Sequence, residues 1–229
     1  TAPATDGPAT ARCYILVTPD GERTMNTYLG AAQNLSPADV DAETIAASGV
    51  TYLEGYLWDP PEAKKAFLKA AEIAHGAGRK VALTLSDSFC VDRYRDEFLG
   101  LIRAKTVDIV FANESELKSL YQTADFATAL DALRADASLA IVTRSEQGAI
   151  AIEGASLVSA PAFPVDKVVD TTGAGDLFAA GFLSGHARGL GHEMSLRLGA
   201  LCAAEIISHM GARPEANLKA LAAENGFAL

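Results

Sequence analysis

Basic residues are scarce in this 229-residue chain, which has 19 Lys and Arg against 29 Asp and Glu and a formal net charge of −10. No cluster of Lys or Arg offsets the acidic excess, so the positive surface that nucleic acids and anionic lipids require is missing. Long hydrophobic runs are absent too, because Arg197, Glu205 and His209 interrupt the most apolar stretch. The sequence therefore predicts no nucleic-acid partner and no membrane partner.

Cysteine is also rare. The three cysteines, Cys13, Cys90 and Cys202, have no C-x-x-C spacing and support neither a disulfide framework nor a zinc site. This usage favours a reducing compartment and predicts a cytoplasmic protein. The chain starts at Thr1 with a polar segment that has neither the charged region nor the apolar region of a signal peptide. We therefore expect the chain to be N-terminally incomplete.

The composition is that of a globular protein, with 49% hydrophobic residues. Apolar runs at 50–54, 80–85, 107–112 and 139–143 alternate with helix-like stretches. This alternation predicts an α/β fold in which a mainly parallel sheet is covered by helices on both faces. Functional residues of such folds lie at the carboxyl ends of the strands. No linker or repeat divides the sequence, so one domain over 1–229 is expected.

Other local patterns flank this region. Residues 12–29 predict a hairpin around the turn signal Pro19-Asp20-Gly21, standing apart from the main sheet as an edge or lid, and residues 148–160 predict a second hairpin. Ser36 and Pro37 predict one short helix through residue 45, with Ser36 as its N-cap. A helix-like stretch is predicted around 93–104, and two long helices are predicted at about 176–188 and 194–210.

The most informative segment is a glycine-rich loop, Asp170-Thr-Thr-Gly-Ala-Gly-Asp176, that leads directly into a predicted helix. Gly173 and Gly175 allow a tight turn in which free N–H groups at the positive end of the helix point at one anion. A carboxylate at Asp176 can accept the proton of an attacking hydroxyl. The pattern indicates phosphoryl transfer, although in an arbitrary protein it is more often a flexible turn with Asp176 as a helix N-cap.

The same loop, followed by Leu177-Phe-Ala-Ala-Gly181, resembles the C-terminal signature of the ribokinase family of carbohydrate and nucleoside kinases, the PfkB group. Three further segments stand in the order found in that family: Asn113-Glu-Ser-Glu116, Thr143-Arg-Ser-Glu-Gln-Gly148 and Gly211-Ala-Arg-Pro214. The resemblance runs from about Ala11 to the C-terminus. It implies a ribokinase-like three-layer αβα fold with a mainly parallel central sheet and a small β lid, represented in part by residues 12–29.

The resemblance also implies roles for individual residues. Asp176 would be the catalytic base, and the backbone amides of Gly173, Ala174 and Gly175 would form the anion hole for the transferred phosphoryl group. Asn113 and Glu116 would help to place Mg²⁺, through water, beside the nucleotide phosphates, and oxygen ligands suit this ion. Taken alone, these two residues are better explained as a capped helix start.

A nucleotide-contacting turn and a cation site follow from the same resemblance. Thr143 and Gly148 would contact the nucleotide, and Ser145 stands where a glycine is more usual, which leaves the path of the loop open. Positions that hold a monovalent cation in many relatives correspond to Asp170, Thr172 and Gly211. Residues 200–205 correspond to the region that borders the adenine, although an apolar helix is typical of core packing. The implied cofactors are ATP and Mg²⁺, with K⁺ as a further candidate.

The sequence does not decide which small molecule accepts the phosphoryl group. Residues 14–26, 31–33 and 84–89 resemble the adenosine kinase branch of the family, whereas the early region that selects the sugar in relatives is not in the chain. The expected function is transfer of the γ-phosphoryl of ATP to a hydroxyl of an adenosine-like nucleoside or a sugar. The alternatives are a sugar kinase of the ribokinase or fructokinase type and a non-catalytic nucleotide-binding regulator. Arg23 either faces the substrate or a phosphate, or is an exposed strand residue. The resemblance also implies a homodimer formed through the lid.

Overall fold

The computed structural model describes residues 6–228, so the expectation that rests on Thr1 lies outside them. Eight strands occur in this range: β1 (Arg12–Val17), β2 (Arg23–Tyr28), β3 (Val50–Glu54), β4 (Lys80–Thr84), β5 (Ile109–Asn113), β6 (Leu139–Thr143), β7 (Ala149–Glu153) and β8 (Ser156–Ala160). Eight α-helices accompany them: α1 (Ala42–Ala47), α2 (Pro61–Gly76), α3 (Ser88–Arg103), α4 (Glu114–Leu120), α5 (Phe126–Asp136), α6 (Ala174–Ala187), α7 (Gly191–Ile207) and α8 (Leu218–Glu224).

The main sheet has six strands in the order β3-β4-β5-β6-β7-β8. Strands β3 to β6 pair in parallel, and β7 and β8 continue the sheet as an antiparallel hairpin. The sheet is therefore mixed, with a parallel part that comes from the predicted βα repeats. Because the parallel strands follow one another in chain order, right-handed crossovers place α2 to α5 on a single face.

The two faces of the sheet carry separate parts of the core. Successive residues of a strand point to opposite faces, so Val110 packs with α2 to α5 while its neighbour Phe111 packs with α6 and α7. On the second face, Phe111 meets Phe182 of α6 edge-on, with ring centroids 5.7 Å apart. The result is a helix, sheet and helix arrangement, which confirms the predicted fold class.

The predicted hairpin around residues 19–21 is present. Strands β1 and β2 form a separate two-stranded antiparallel sheet in which Tyr14 pairs with Asn26 and Val17 with Arg23. Large apolar side chains on these strands face solvent, including Tyr14 at 71% and Leu16 at 63% exposure.

Two local predictions were wrong at their boundaries. The single helix expected up to residue 45 is a 3-10 turn at Pro37–Asp39 followed by α1, because Ser36 and Asp39 close a capping box on the turn and Asp41 provides a second N-cap to Thr44. Helix α3 begins at Ser88, ahead of the predicted 93, because Asp87 caps it and a kink at Tyr94 separates its first turns from the rest. Helix α8 was not predicted, although Asn217 caps its start.

Candidate active site

Two of the predicted functional residues, Asn113 and Thr143, lie at the carboxyl ends of parallel strands. Asn113 ends β5 and Thr143 ends β6, and the two residues are paired in the parallel register. Glu54 ends β3, where it pairs with Thr84 of β4. This edge of the sheet is where the α/β pattern placed the site.

The glycine-rich loop opens α6 as expected from its residues. Gly173 is the N-cap and has a φ of +83°, in the left-handed region that favours glycine. The N–H of Ala174 donates to the carbonyl oxygen of Thr171 at 3.2 Å. The N–H groups of Gly175 and Asp176 lie in the first helical turn, where a helix supplies no carbonyl acceptor. This end of α6 therefore offers backbone donors to an anion.

Asp176 lies in the first turn of α6 and is not its N-cap. Its side chain is exposed and has no hydrogen-bond partner among residues 6–228. Partial desolvation raises the pKa of Asp176 above its usual value, and the charge of Arg23 opposes this rise. The capping interpretation is wrong for this residue, which leaves a carboxylate with free lone pairs beside the anion-binding amides.

The hairpin is attached to this loop through its turn. Arg23 donates from Nη1 to the hydroxyl oxygen of Thr171 at 2.6 Å, and that hydroxyl donates to the carbonyl oxygen of Gly21 at 3.1 Å. Gly21 is buried, has a φ of +83°, and a Cβ there would lie 3.0 Å from Val168. Arg23 is an exposed residue of β2, as one interpretation expected, and its guanidinium contacts the loop that carries Asp176.

The three residues predicted as cation ligands are joined by hydrogen bonds. Asp170 is buried, and its Oδ1 accepts from the backbone N–H of Thr172 at 2.9 Å and from its hydroxyl at 2.6 Å. Its Oδ2 accepts from the N–H of Gly211 at 3.0 Å. Burial alone would raise the pKa of Asp170, but the bonds from Thr172 and Gly211 outweigh it and lower the pKa. The carboxylate thus ties the glycine-rich loop to the loop after α7.

Asn113 and Glu116 form a capping box at the start of α4. Asn113 Oδ1 accepts from the N–H of Glu116 at 2.8 Å, while Glu116 accepts from the backbone N–H of Asn113 at 2.9 Å and from its Nδ2 at 2.6 Å. The structural interpretation of the pair is therefore confirmed. It does not exclude the second role, since each carboxylate oxygen keeps a lone pair.

Two further acidic residues surround Glu116. Burial, and then the charges of Asp87 and Glu54, raise the pKa of Glu116 to about 7, against the hydrogen bond from Asn113. Burial and then the charge of Asp176 raise the pKa of Glu54 to about 7, opposed by a hydrogen bond with Ser86. Neither Glu54 nor Asp87 was predicted to be a functional residue. A signal for Glu54 did exist, because a carboxylate that ends an apolar strand is costly without a function.

The residues at this edge fit a Mg²⁺ held through water. The donors are carboxylate and amide oxygens, which Mg²⁺ prefers. Burial, and then neighbouring carboxylates, raise the pKa values of Glu116 and Glu54, and a bound cation would favour the charged forms of both groups. Within residues 6–228, no group of three or more His, Cys, Asp or Glu side chains is placed to hold an ion directly. Coordination through water and substrate phosphates agrees with that finding.

The turn after β6 keeps a glycine-like path in spite of Ser145. This residue has a φ of +49°, in the left-handed region, and Gly148 has a φ of +86°. A Cβ on Gly148 would lie 2.1 Å from the carbonyl oxygen of Ala160 on β8. Gly148 is therefore required by both its conformation and its close contact with the neighbouring strand.

A cleft of about 450 Å³ lies beside α7, between this helix and the segment that follows β8. Phe163 and Val165 line one wall, and Leu201 and Ala204 of α7, with Ser208 at the C-cap of this helix, line the other. Most of residues 200–205 are buried in the core, as the apolar pattern indicated, but this side of α7 is open to the cleft.

Comparisons with known proteins agree with this geometry. The family profile described as "pfkB family carbohydrate kinase" matches residues 3–219. A cytidine kinase of Thermococcus kodakarensis is 30% identical over 200 residues, which cover 84% of this chain and 66% of that protein. The chain thus spans about two thirds of the length of that curated relative.

Solved structures give the same result. An adenosine kinase from Sinorhizobium meliloti superposes with a TM-score of 0.97 at 54% identity, covering 99% of this chain and 69% of that one. A probable sugar kinase from Rhizobium etli CFN 42 has a TM-score of 0.93 at 54% identity, covering 95% of this chain and 66% of that one. Among residues 6–228, no helix is long and apolar enough to cross a membrane. The chain belongs to the pfkB family of carbohydrate kinases.

Proposed function

We propose that this protein transfers the γ-phosphoryl group of ATP to a hydroxyl of a small molecule. One observation carries the proposal: Asp176 presents an exposed carboxylate without a hydrogen-bond partner in the described part of the chain, one turn into a helix whose first N–H groups form an anion site. When a hydroxyl attacks a phosphoryl group, a base must accept its proton and an anion hole must stabilise the developing charge. Both parts lie on the same helical turn here.

The residues of the loop have different roles in the proposed reaction. Asp176 accepts the proton of the acceptor hydroxyl, and its raised pKa makes it a stronger base than an ordinary aspartate. The amides of Gly173, Ala174 and Gly175 stabilise the charge that develops on the transferred group, with the Ala174 amide exchanging its bond to Thr171 for one to the phosphoryl oxygen. Arg23, on the hairpin, adds a positive charge that balances the negative charge of the phosphates.

The nucleotide side is built from the neighbouring strand ends. Thr143 and Gly148 shape the turn that contacts the nucleotide, and the cleft beside α7 accepts the adenine. Asn113 and Glu116 hold the waters of a Mg²⁺ that, when bound with ATP, neutralises the phosphate oxygens. A K⁺ site formed by Asp170, Thr172 and Gly211 is part of the proposal, supported by the hydrogen bonds that bring these residues together.

A nucleoside of the adenosine type is the favoured acceptor. Support comes from the residues that resemble the nucleoside branch and from the similarity to proteins named adenosine kinase and cytidine kinase. Glu54, close to Asp176, can accept hydrogen bonds from sugar hydroxyls. A sugar acceptor remains the second candidate because a probable sugar kinase is equally similar. A purely regulatory protein is disfavoured because Asp176 is in place and unengaged.

We further propose that the β1–β2 hairpin acts as a lid and as a homodimer contact in the cytoplasm. The exposed apolar side chains of Tyr14, Leu16 and Tyr28 lie on one face of the two strands and suit burial against a second copy. All three cysteines are free, which fits a reducing compartment. Sedimentation of the whole protein, with Leu16→Asp as the variant, tests the dimer. The expected result is a dimer that the substitution dissociates.

The experiment for the main proposal is coupled turnover of ATP with Mg²⁺ by the protein that contains this chain. Adenosine, cytidine, ribose and fructose are the acceptors, each with K⁺ present and absent. Turnover with a nucleoside supports the favoured acceptor, and turnover with a sugar alone moves the protein to the sugar kinases. Binding of ATP without turnover of any acceptor supports the regulatory alternative.

A further inference from the structure

The turn after β6 holds a residue in an unfavourable backbone conformation. Ser145 has a φ of +49°, a conformation that costs free energy in residues other than Gly, Asn and Asp. The turn closes around it through three backbone hydrogen bonds: Arg144 N to Gly148 O at 2.8 Å, Gln147 N to Arg144 O at 2.9 Å, and Gly148 N to Ser145 O at 3.1 Å. Such strain persists only where surrounding contacts hold it.

The side chain of Arg144 supplies contacts of this kind. Its Nε donates to Oε2 of Glu114, the first residue of α4, at 2.9 Å. Its guanidinium carbon lies 4.0 Å from the centre of the Phe126 ring, at the start of α5. Three elements therefore meet at one side chain, which is 23% exposed.

Glu114 is well prepared to hold the arginine. Lys118, one turn further along α4, donates to its other oxygen Oε1 at 2.6 Å. Because Glu114 follows Asn113 directly, the ion pair connects the turn to the end of β5 that carries the capping box.

We propose that Arg144 is a positioning residue that keeps Ser145 left-handed and so holds the nucleotide turn ready for ATP. The inference rests on the proposed function, in which this turn contacts the nucleotide. We call the contacts of Arg144 with Glu114 and Phe126 the clamp. Without the clamp, the turn would populate other conformations, and the apparent affinity for ATP would fall in proportion to the fraction of molecules that keep the competent conformation. The chemical step would be unchanged once ATP is bound.

Kinetics of Arg144→Leu in the whole protein tests the proposal. The KM for ATP is expected to rise about tenfold, the size of effect that backbone strain of this kind can produce, with kcat and the KM of the acceptor within about twofold of the wild type. The double variant with Ser145→Gly is expected to recover most of the affinity, because glycine adopts a positive φ without the clamp.

A matched control separates the clamp from a general loss of an ion pair. Arg103 donates from Nε to Asp136 at 3.0 Å, joining α3 to the end of α5. Arg103→Leu is expected to leave the KM for ATP unchanged. Hydrogen exchange of the amides at 144–148, measured without nucleotide, is expected to accelerate in Arg144→Leu and not in Arg103→Leu.

Failure of the clamp and failure of the proposed function have different results. If the wild type neither binds nor turns over ATP, the proposed function fails, whereas faster exchange in Arg144→Leu would still support the clamp. If the wild type is active, any of three results overturns the proposal. Arg144→Leu keeps the wild-type KM for ATP, its kcat falls while KM is unchanged, or the added Ser145→Gly substitution restores none of the affinity for ATP.

Discussion

Arg23 on the hairpin and Thr171 in the glycine-rich loop are joined by a hydrogen bond of 2.6 Å between the guanidinium Nη1 and the side-chain hydroxyl. This bond places the positive charge of Arg23 where it favours the charged forms of Asp170 and Asp176, and at Asp176 it opposes the rise in pKa that burial causes. The hairpin therefore contributes to the electrostatics of the loop on which the proposed base lies.

Arg23→Gln is expected to shift the pH dependence of turnover. Removing the charge raises the pKa of Asp176 further, so the acidic limb of the kcat/KM profile moves to higher pH and turnover on that limb falls. Arg12→Gln is the control, because Arg12 pairs with Tyr28 at the far end of the hairpin. An unmoved limb, or one shifted to lower pH, would contradict the assignment.

Glu116→Gln is expected to weaken the use of Mg²⁺ without unfolding α4. Glutamine at this position can still complete a capping box, but it lacks the charge that attracts the ion. The Mg²⁺ concentration for half-maximal turnover should rise about tenfold or more. Thermal unfolding of the same variant checks the helix, and an unchanged Mg²⁺ requirement with normal folding would exclude Glu116 from the metal site.

Glu54→Gln is expected to make the protein less sensitive to alkaline pH. The folded state keeps a proton on Glu54 up to about pH 7, whereas the unfolded chain releases it near its ordinary value of 4.5. The Glu54 contribution to stability is therefore present below about pH 4.5 and is lost as pH rises toward 7.

Denaturant unfolding at pH 5 and pH 8 measures this effect. Relative to the wild type, Glu54→Gln should gain on the order of 1–3 kcal/mol more at pH 8 than at pH 5. Glu72→Gln, at an exposed position on α2, should show no such difference. A loss of relative stability at pH 8 in the Glu54 variant would show that its carboxylate is compensated in the folded protein.

Two left-handed glycines allow conformation and close contact to be separated. Gly154→Ala strains only the backbone, because nothing lies within 4 Å of the added Cβ, and it should cost about 1–2 kcal/mol. Gly148→Ala adds a collision with the carbonyl oxygen of Ala160 and should cost more than about 3 kcal/mol. Equal losses in urea unfolding would mean that β8 moves away from the turn easily.

Local pattern was sufficient to predict much of the fold. Residues 139–142 are all apolar because both faces of this strand are buried, and helix starts such as Glu114 follow a capping residue. The glycine-rich loop was recognisable because its conformation demands glycine at particular positions, as at Gly173. The boundaries that failed, at Asp41 and Asp87, are places where a capping residue starts a helix at a point that the apolar periodicity does not mark.

The parts of the site that escaped prediction depend on contacts between distant segments. After burial, the charge of Asp176 is the next cause of the raised pKa of Glu54, and it acts because folding brings the end of β3 near the start of α6. A local sequence pattern cannot show that two such distant segments lie close together. The attachment of Arg23 to Thr171 has the same origin. Local pattern also left the role of Asn113 and Glu116 ambiguous, because a capping box uses the same residue types as a metal site.

The most direct test of the account is Asp176→Asn in the protein that contains this chain. Turnover of ATP with the best acceptor should fall by about a thousandfold or more, since a general base contributes roughly that factor. Because Asp176 is exposed and makes no structural hydrogen bond within residues 6–228, the melting temperature and the calorimetric affinity for ATP should stay close to wild type. Turnover that stays within a few-fold of wild type would contradict the central claim, as would a loss that is matched by unfolding.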